Sequence, residues 1–442
     1  MKSKTVVSFL LLLTLVFESI CAQAKLSATE QKIREIIRRQ HEDQIAYLGR
    51  VVDIPSSTLN LDGVRKVGEM FRTSFEALGF DARFVPLPKE TQRAGHLVAD
   101  HKGKPGLTRL LLIGHLDTVV EPQGPTWSRL DTIARGVGAV DIKGGDVVIL
   151  YALKALKEAG AFDDLNITIV FTGDEEHAGD PISVSRKDLI DAANRSDIAL
   201  GYEGGNRSDG TIARRGASGW RVEAKGHQAH SADIFDPEVG YGAIYELARI
   251  LNAFREQLVG EQYLTFNVGT VVGGTDVVYD TVAIKGSTAS KLNIVPKLAI
   301  AHGDLRFISE EQKNRTRAKM HEIVAKHLPG TDASITFVDE YPAMSPTPGN
   351  AKILAFFDTA SRALGYGRIV ALDPGRRGAG DISFVAPYID GLDGLGALGG
   401  GSHAPDEYVD LKALLMQTER TAILLNRLGR LPSTSFVRKT SN

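Results

Sequence analysis

Two glutamates stand side by side in the stretch FTGDEEHAGD, as Glu175 and Glu176, and a run of hydrophobic or β-branched residues from Ile167 to Phe171 leads into it. Adjacent carboxylates repel, and neither has a helical partner. They are either solvated turn residues or ligands of a bound cation. Four other stretches bear on the choice. LLLIGHLDTV ends an apolar run with His115 and Asp117, and GVGAVDIKGGD sets Asp141 in a glycine-rich turn. ALGYEGG carries Glu203, and LGGGSHAPDEYVDL carries His403. Each alone has an ordinary structural explanation: a capped loop, a turn, a solvated side chain. Together they supply imidazoles and carboxylates mostly at the ends of apolar strands, where open α/β sheets place ligand sites. Nitrogen and oxygen donors without sulfur suit a catalytic zinc site better than a structural one. There are donors enough for two ions. If Asp141 bridges, His115 and Glu203 serve one ion, and Glu176 and His403 serve the other. Glu175 is then the base that takes a proton from water activated between them. A glycine turn around Asp141 that cradles phosphate is the competing idea, but the Lys-Ser/Thr ending of a P-loop is missing.

Such a set needs a frame that brings strand ends together. Helical periodicity marks ATEQKIREIIRRQHEDQIAYLGRVVDI, GVRKVGEMFRTSFEALGF and KGGDVVILYALKALKEAG. Strands are predicted in DARFVPL, RAGHLVAD, RLLLIGHLDTV and NITIVFTGDEE. This order predicts an α/β fold with a mixed, mostly parallel sheet and helices on both faces. The pattern changes after Arg214. Strand GWRVEAKG, helix VGYGAIYELARILNAFREQL, strands LTFNVGTVVGG and LAIAHGDLRFI, helix EEQKNRTRAKMHEIVAKHL and strand ASITFVDE follow. That is a β-α-β-β-α-β, ferredoxin-like unit. The expected domains are a catalytic domain in two parts, 25–213 and 342–442, around an insert at 214–341, with YPAMSPTPGN as the return linker.

In order and spacing the five motifs resemble the dizinc metallopeptidase family of bacterial glutamate carboxypeptidase, succinyl-diaminopimelate desuccinylase and acetylornithine deacetylase. The resemblance covers nearly the whole chain after its N-terminal segment. It implies His115, Asp141, Glu176, Glu203 and His403 as ligands of two Zn2+ per chain, with Co2+ able to substitute. It further implies Glu175 as general base, Asp117 orienting His115, and a cis peptide at Asp141–Ile142. In the insert, KGHQAHSA resembles the stretch whose last histidine, His230, reaches an active site. KLNIVP resembles the stretch with a substrate-contacting asparagine, Asn293, and GDLRF the one with a carboxylate-binding arginine, Arg306. ARRGA resembles the basic pair where the insert begins. Arg215 is taken as its substrate-binding member, with Arg214 the alternative. By the residues alone, Asn293 reads as a turn before Pro296, Arg306 as a strand salt bridge and His230 as a surface histidine. DPGRRGAGDISF departs from the family's glycine run, so Arg376 and Arg377 leave substrate selection open.

The resemblance implies a hydrolase that releases a C-terminal amino acid from a small peptide or N-acyl amino acid. Glu203 and GLGALGGGSHAPDEYVD place it nearest the glutamate carboxypeptidase branch. An N-acyl amino acid deacylase or desuccinylase is the alternative, and a catalytically silent peptide binder a third. The insert is expected to act as a lid and to pair two chains into a homodimer, with His230 given across the interface.

The bulk numbers agree with an ordinary globular chain: 442 residues, 43% hydrophobic, 24% charged. A net charge of −2 offers no basic footprint for nucleic acid. Lys2 and Lys4, the apolar VVSFLLLLTLVF, and Ala22 and Ala24 in A-x-A spacing predict a secretory signal over 1–24 and a secreted or periplasmic enzyme. A lipoprotein at Cys21 and a retained anchor are the alternatives. Cys21 is the only cysteine, so cleavage after Ala24 would leave no thiol and no disulfide. No later segment is expected to span a membrane.

Overall fold

A computed structural model of the chain describes residues 25–439, so the signal expected at 1–24 lies outside the described residues. The chain forms two compact units. One comprises the chain through Ile212, Pro346–Asp373 and the chain from Gly380 on; the other is Ala213–Ser345 with Pro374–Ala379.

The first unit is built on a six-stranded sheet. Its spatial order is Asp81–Val85, His96–His101, Asn166–Thr172, Arg109–His115, Ile198–Gly201 and Asp390–Leu392. The last four run parallel and the first two join antiparallel, so the sheet is mixed and mostly parallel. Leu110–Ile113 is apolar without alternation, and Ile167–Phe171 is apolar apart from Thr168, because both faces of these strands are buried. Helices Ala28–Val52, Lys143–Ala159 and Leu411–Leu428 pack on one another, while Leu61–Ala77 lies against the first strands. The first of these helices starts at a capping box. The Glu30 amide donates to Ser27 Oγ at 3.2 Å, and the Ser27 amide donates to Glu30 Oε2 at 2.8 Å. Phe171 meets Phe71 and Phe75 edge-on at 5.3 and 5.7 Å, which fixes the sheet against Leu61–Ala77.

Two parts of this unit are absent from the sequence reading. One is a small sheet of Gly399–Gly400, Tyr408–Asp410, Ile133–Arg135 and Ser128–Leu130. Its strands are two or three residues long, too short for periodicity to register. The other is the helix Leu411–Leu428, whose buried positions include Gln417, Thr418, Glu419, Arg420 and Thr421 in succession. Burial all round with polar residues leaves no apolar stripe to read.

The second unit holds a four-stranded antiparallel sheet in the order Thr265–Gly274, Leu298–Phe307, Gly216–Gly226, Thr331–Tyr341. Helices Gly242–Leu258 and Glu310–Val324 pack on it around Trp220, Leu247, Ile250, Phe254, Leu305 and Met320. A hairpin of Asp276–Asp280 and Lys285–Ala289 is added between the second and third strands in chain order. The sequence reading lacks it, since KGSTA carries no strand signal. Among the described residues, no helix is long and apolar enough to cross a membrane.

Candidate dinuclear metal centre

Parallel strands carry their carboxyl ends to one edge of the sheet. His115 is the last residue of its strand and lies beside Thr172, the last residue of the neighbouring one. Glu175 and Glu176 follow Thr172 within four residues, and Glu203 follows Gly201 by two. The pairing therefore collects an imidazole and three carboxylates at one edge. Two loops complete the group. Asp141 ends the loop before helix Lys143–Ala159, with a cis peptide to Ile142. His403 sits between the short strands Gly399–Gly400 and Tyr408–Asp410, with a left-handed φ of 66°.

The donors converge. His115 Nε2 lies 3.4 Å from Asp141 Oδ1 and 3.7 Å from Glu203 Oε1. His403 Nε2 lies 3.3 Å from Asp141 Oδ2 and 3.4 Å from Glu176 Oε2. Asp141 thus turns one oxygen to each histidine, the disposition of a bridging carboxylate. Ligands about 2.0–2.1 Å from a tetrahedral ion are separated by roughly 3.3 Å, and three of these four distances match that to 0.1 Å. Both His115–Asp141–Glu203 and Asp141–Glu176–His403 have the compactness to hold an ion; so does His115–Glu175–Glu176. His115 Nε2 and Glu176 Oε1 are buried atoms with no hydrogen-bond partner. Buried donors and acceptors are normally satisfied, so each of these two atoms fits a ligand of a bound cation.

Asp117 organises the edge. His115 Nδ1 is 3.0 Å from its carbonyl oxygen and 3.3 Å from Oδ1. The same carboxylate accepts the amide N–H groups of Glu175 and Glu176 at 3.1 and 3.2 Å and the Thr58 hydroxyl at 2.6 Å. One buried aspartate therefore fixes both the histidine and the turn of the glutamate pair. Next to that turn, Arg186 is fully buried and paired with Asp174 at 2.7 Å and Asp381 at 2.8 Å, and Thr172 donates to Asp381 at 2.5 Å. Sequence reasoning missed Thr58, Asp174, Arg186 and Asp381. No local signal marks Thr58, which is 59 residues from its partner. The charged Asp174 beside two glutamates was the available hint for the others.

The protonation pattern is that of a site short of positive charge. Burial, with the nearby Glu203 charge, pushes Glu175 well above the usual carboxyl range. Burial, with Asp141 and Asp117 adding to it, raises Glu176 to about 8. The hydrogen bond to Asp141 lifts His403 to about 9. Burial would lower His115, but the carboxylates of Asp117, Asp141 and Glu203 around it raise it well above the ordinary imidazole value.

The second unit holds the remaining sequence candidates. His230 is exposed, and its Nδ1 accepts the Ala232 amide at 3.1 Å. Its segment bridges to Ile294, and the Ser231 amide donates to the Asn293 carbonyl at 2.9 Å, which brings His230 and Asn293 together. Arg306 makes the strand ion pair with Asp304, at 2.8 Å through Nε. Arg215 Nη1 donates to Thr265 Oγ1 at 3.1 Å, and Thr265 is the cross-strand partner of Arg306, so the two arginines share a neighbourhood. Arg214 is buried and donates to the carbonyls of Gly378 and Ala379 at 3.1 and 2.6 Å. It holds the loop that carries the exposed Arg376 and half-buried Arg377.

A mixed sheet with a His/carboxylate cluster at its carboxyl edge fits a metal-dependent enzyme on an α/β frame. The chain belongs to peptidase family M20/M25/M40, whose model matches residues 111–427. It is 28% identical over 407 residues to carboxypeptidase G2 of Pseudomonas sp. (strain RS-16), covering 87% of this chain and 89% of that one. It is 26% identical over 368 residues to the succinyl-diaminopimelate desuccinylase of Gluconacetobacter diazotrophicus, covering 80% and 90%. Its fold is similar to that of aminopeptidase PepT from Bacillus cereus, with a TM-score of 0.68, 16% identity, and 88% and 98% of the two chains covered.

Proposed function

We propose that this chain is a dizinc exopeptidase that hydrolyses an amide bond to release a C-terminal amino acid, in the manner its similarity to carboxypeptidase G2 suggests. The observation that carries this is the pair of donor triads sharing Asp141, with Glu175 beside them. His115, Asp141 and Glu203 would hold one ion, and Asp141, Glu176 and His403 the other. A divalent ion there supplies Lewis-acid activation of water and of the amide carbonyl. Glu175 takes the proton of the attacking water and gives it to the leaving nitrogen. Its burial and raised proton affinity suit a group that must both accept and donate. Asp117 keeps the proton of His115 on Nδ1, leaving Nε2 as the ligand atom, and holds the Glu175–Glu176 backbone still.

In the second unit, Arg306 and Arg215 are proposed to bind the free carboxylate of the substrate and Asn293 to contact it. A guanidinium suits bidentate binding of a carboxylate. Arg214 is spent on backbone carbonyls, which supports Arg215 as the substrate-facing member. His230 is proposed to stabilise the developing oxyanion from the partner chain of a homodimer, because its exposure leaves it available to a second chain. The proposed secretion rests on residues 1–24. The similarity to a desuccinylase supports a second reading, release of an amino acid from an N-acyl group by the same chemistry. Incubating the zinc-loaded protein with N-acyl amino acids and dipeptides, free or amidated at the C-terminus, separates these. Turnover of free dipeptides and failure of their amides is expected; equal turnover of the amides would exclude a carboxypeptidase.

A further inference from the structure

Glu407 lies four residues after His403 and is almost fully buried, yet it has no part in the chemistry above. Among the described residues its carboxylate makes no hydrogen bond to a cation, although the charge of buried Lys143 is close enough to interact with it; it accepts three amides of the loop that carries Asp141 instead. Oε2 takes the Gly138 N–H at 2.8 Å, and Oε1 takes those of Val140 at 2.7 Å and Asp141 at 2.9 Å. Its own carbonyl accepts the Gly136 N–H at 2.9 Å, and the next residue, Tyr408, pairs with Arg135 in the small sheet. The loop carrying Asp141 is thus fastened to the loop carrying His403 by one side chain and one backbone bond. Neither loop has a long strand of its own to hold it. Gly138, with φ of 79°, curls the chain so that its N–H and those of Val140 and Asp141 point to one place. A buried carboxylate satisfied by backbone amides in this way costs stability to desolvate unless its geometry is kept.

We propose that Glu407 is a positioning residue that locks the Asp141 loop to the His403 loop, and so preforms the Asp141–Glu176–His403 ion site before any ion arrives. This rests on the metal reading of the preceding subsection. Without the lock, His403 is carried only by an exposed turn, its side chain 58% accessible, and its 3.3 Å approach to Asp141 is no longer imposed.

Two measurements test it. The first is Co2+ titration, followed by absorbance and by elemental analysis, of the full chain and of Glu407→Gln and Glu407→Ala. The wild type should bind two ions. Glu407→Gln keeps one oxygen for Val140 and Asp141 but turns a donor toward the Gly138 N–H. It should weaken one ion by about 10–100-fold, the usual cost of removing an outer partner of a ligand, and keep the other. Glu407→Ala should do at least as much. In a His403→Ala background, Glu407→Gln should cost no further affinity, because the coupled partner is already gone. A role confined to fold stability would lower the melting temperature of the metal-free variants and leave both affinities unchanged, and that result overturns the proposal. The second measurement needs no variant. In metal-free wild type the amides of Gly138, Val140 and Asp141 should exchange slowly with deuterium; fast exchange that becomes slow only on adding Co2+ would show that the ion, not Glu407, holds the loop. A wild type that binds no divalent ion would instead overturn the metal reading itself, and this proposal with it.

Discussion

The two units hold their candidate residues in opposite ways. In the first, His115, Asp141 and the glutamate pair are anchored at several points, and only His403 stays exposed on its turn. Asp117 alone fixes His115, both glutamate amides and Thr58, and Asp141 is approached by both histidines. In the second, His230, Arg215 and Arg306 are exposed or half-exposed and held by one or two contacts each. The difference is what chemistry and recognition respectively ask for. Donors of an ion must be placed to a few tenths of an ångström before it binds, and groups that grip a substrate can settle when it arrives.

The largest effect is expected from removing metal. Chelation should abolish hydrolysis, and zinc or cobalt should restore it while the fold is retained; assays with metal-free protein, verified by elemental analysis, check this. Next in size is His230→Ala. It should keep its metal and lose about 10²–10³ in kcat, the typical cost of one oxyanion donor. Mixing it with an inactive Glu175→Gln protein under subunit exchange should recover activity if His230 acts across a dimer. Arg306→Ala should follow, with its loss in kcat/KM rather than in kcat, and with discrimination between free and amidated substrates reduced. If Arg306 only pairs with Asp304 on its strand, Asp304→Asn should mimic it and substrate preference should not move.

The smallest effect concerns pH. In the metal-free protein the bond to Asp141 holds His403 up to about 9, and burial holds Glu176 up to about 8. Both must lose protons to ligate. Metal affinity should therefore rise with pH up to these values and fall below them, by about tenfold per pH unit for each proton displaced. Calorimetry in buffers of different ionisation enthalpy should detect proton release at neutral pH; no release would mean the site is already deprotonated without an ion.

Much of the first unit's frame was legible because its central strands are largely apolar and buried, and His115, Glu175, Glu176 and Glu203 gather at or just after the ends of such strands. Asp141 and His403 stood out by their glycine surroundings. What was not legible has a common cause, side chains whose partners are distant in sequence. Thr58 meets Asp117, Arg186 meets Asp381, and Glu419 of the unread helix meets Arg38 at 2.8 Å. The hairpin of Asp276–Asp280 and Lys285–Ala289 is exposed along most of its length, so no buried face imprinted a pattern on it. The sequence also left Arg214 and Arg215 undivided. Only the contacts to Gly378 and Ala379 give the first a structural task.

In the proposed mechanism two adjacent carboxylates divide the labour, Glu176 holding an ion and Glu175 moving a proton. Parallel measurement of metal content and kcat for Glu175→Gln and Glu176→Gln tests it most directly. Glu175→Gln should keep about two ions per chain and lose at least about 10²–10⁴ in kcat, the range for a general base, whereas Glu176→Gln should lose metal. Two variants that lose metal and activity alike, or a Glu175→Gln protein that stays fully active, would contradict it.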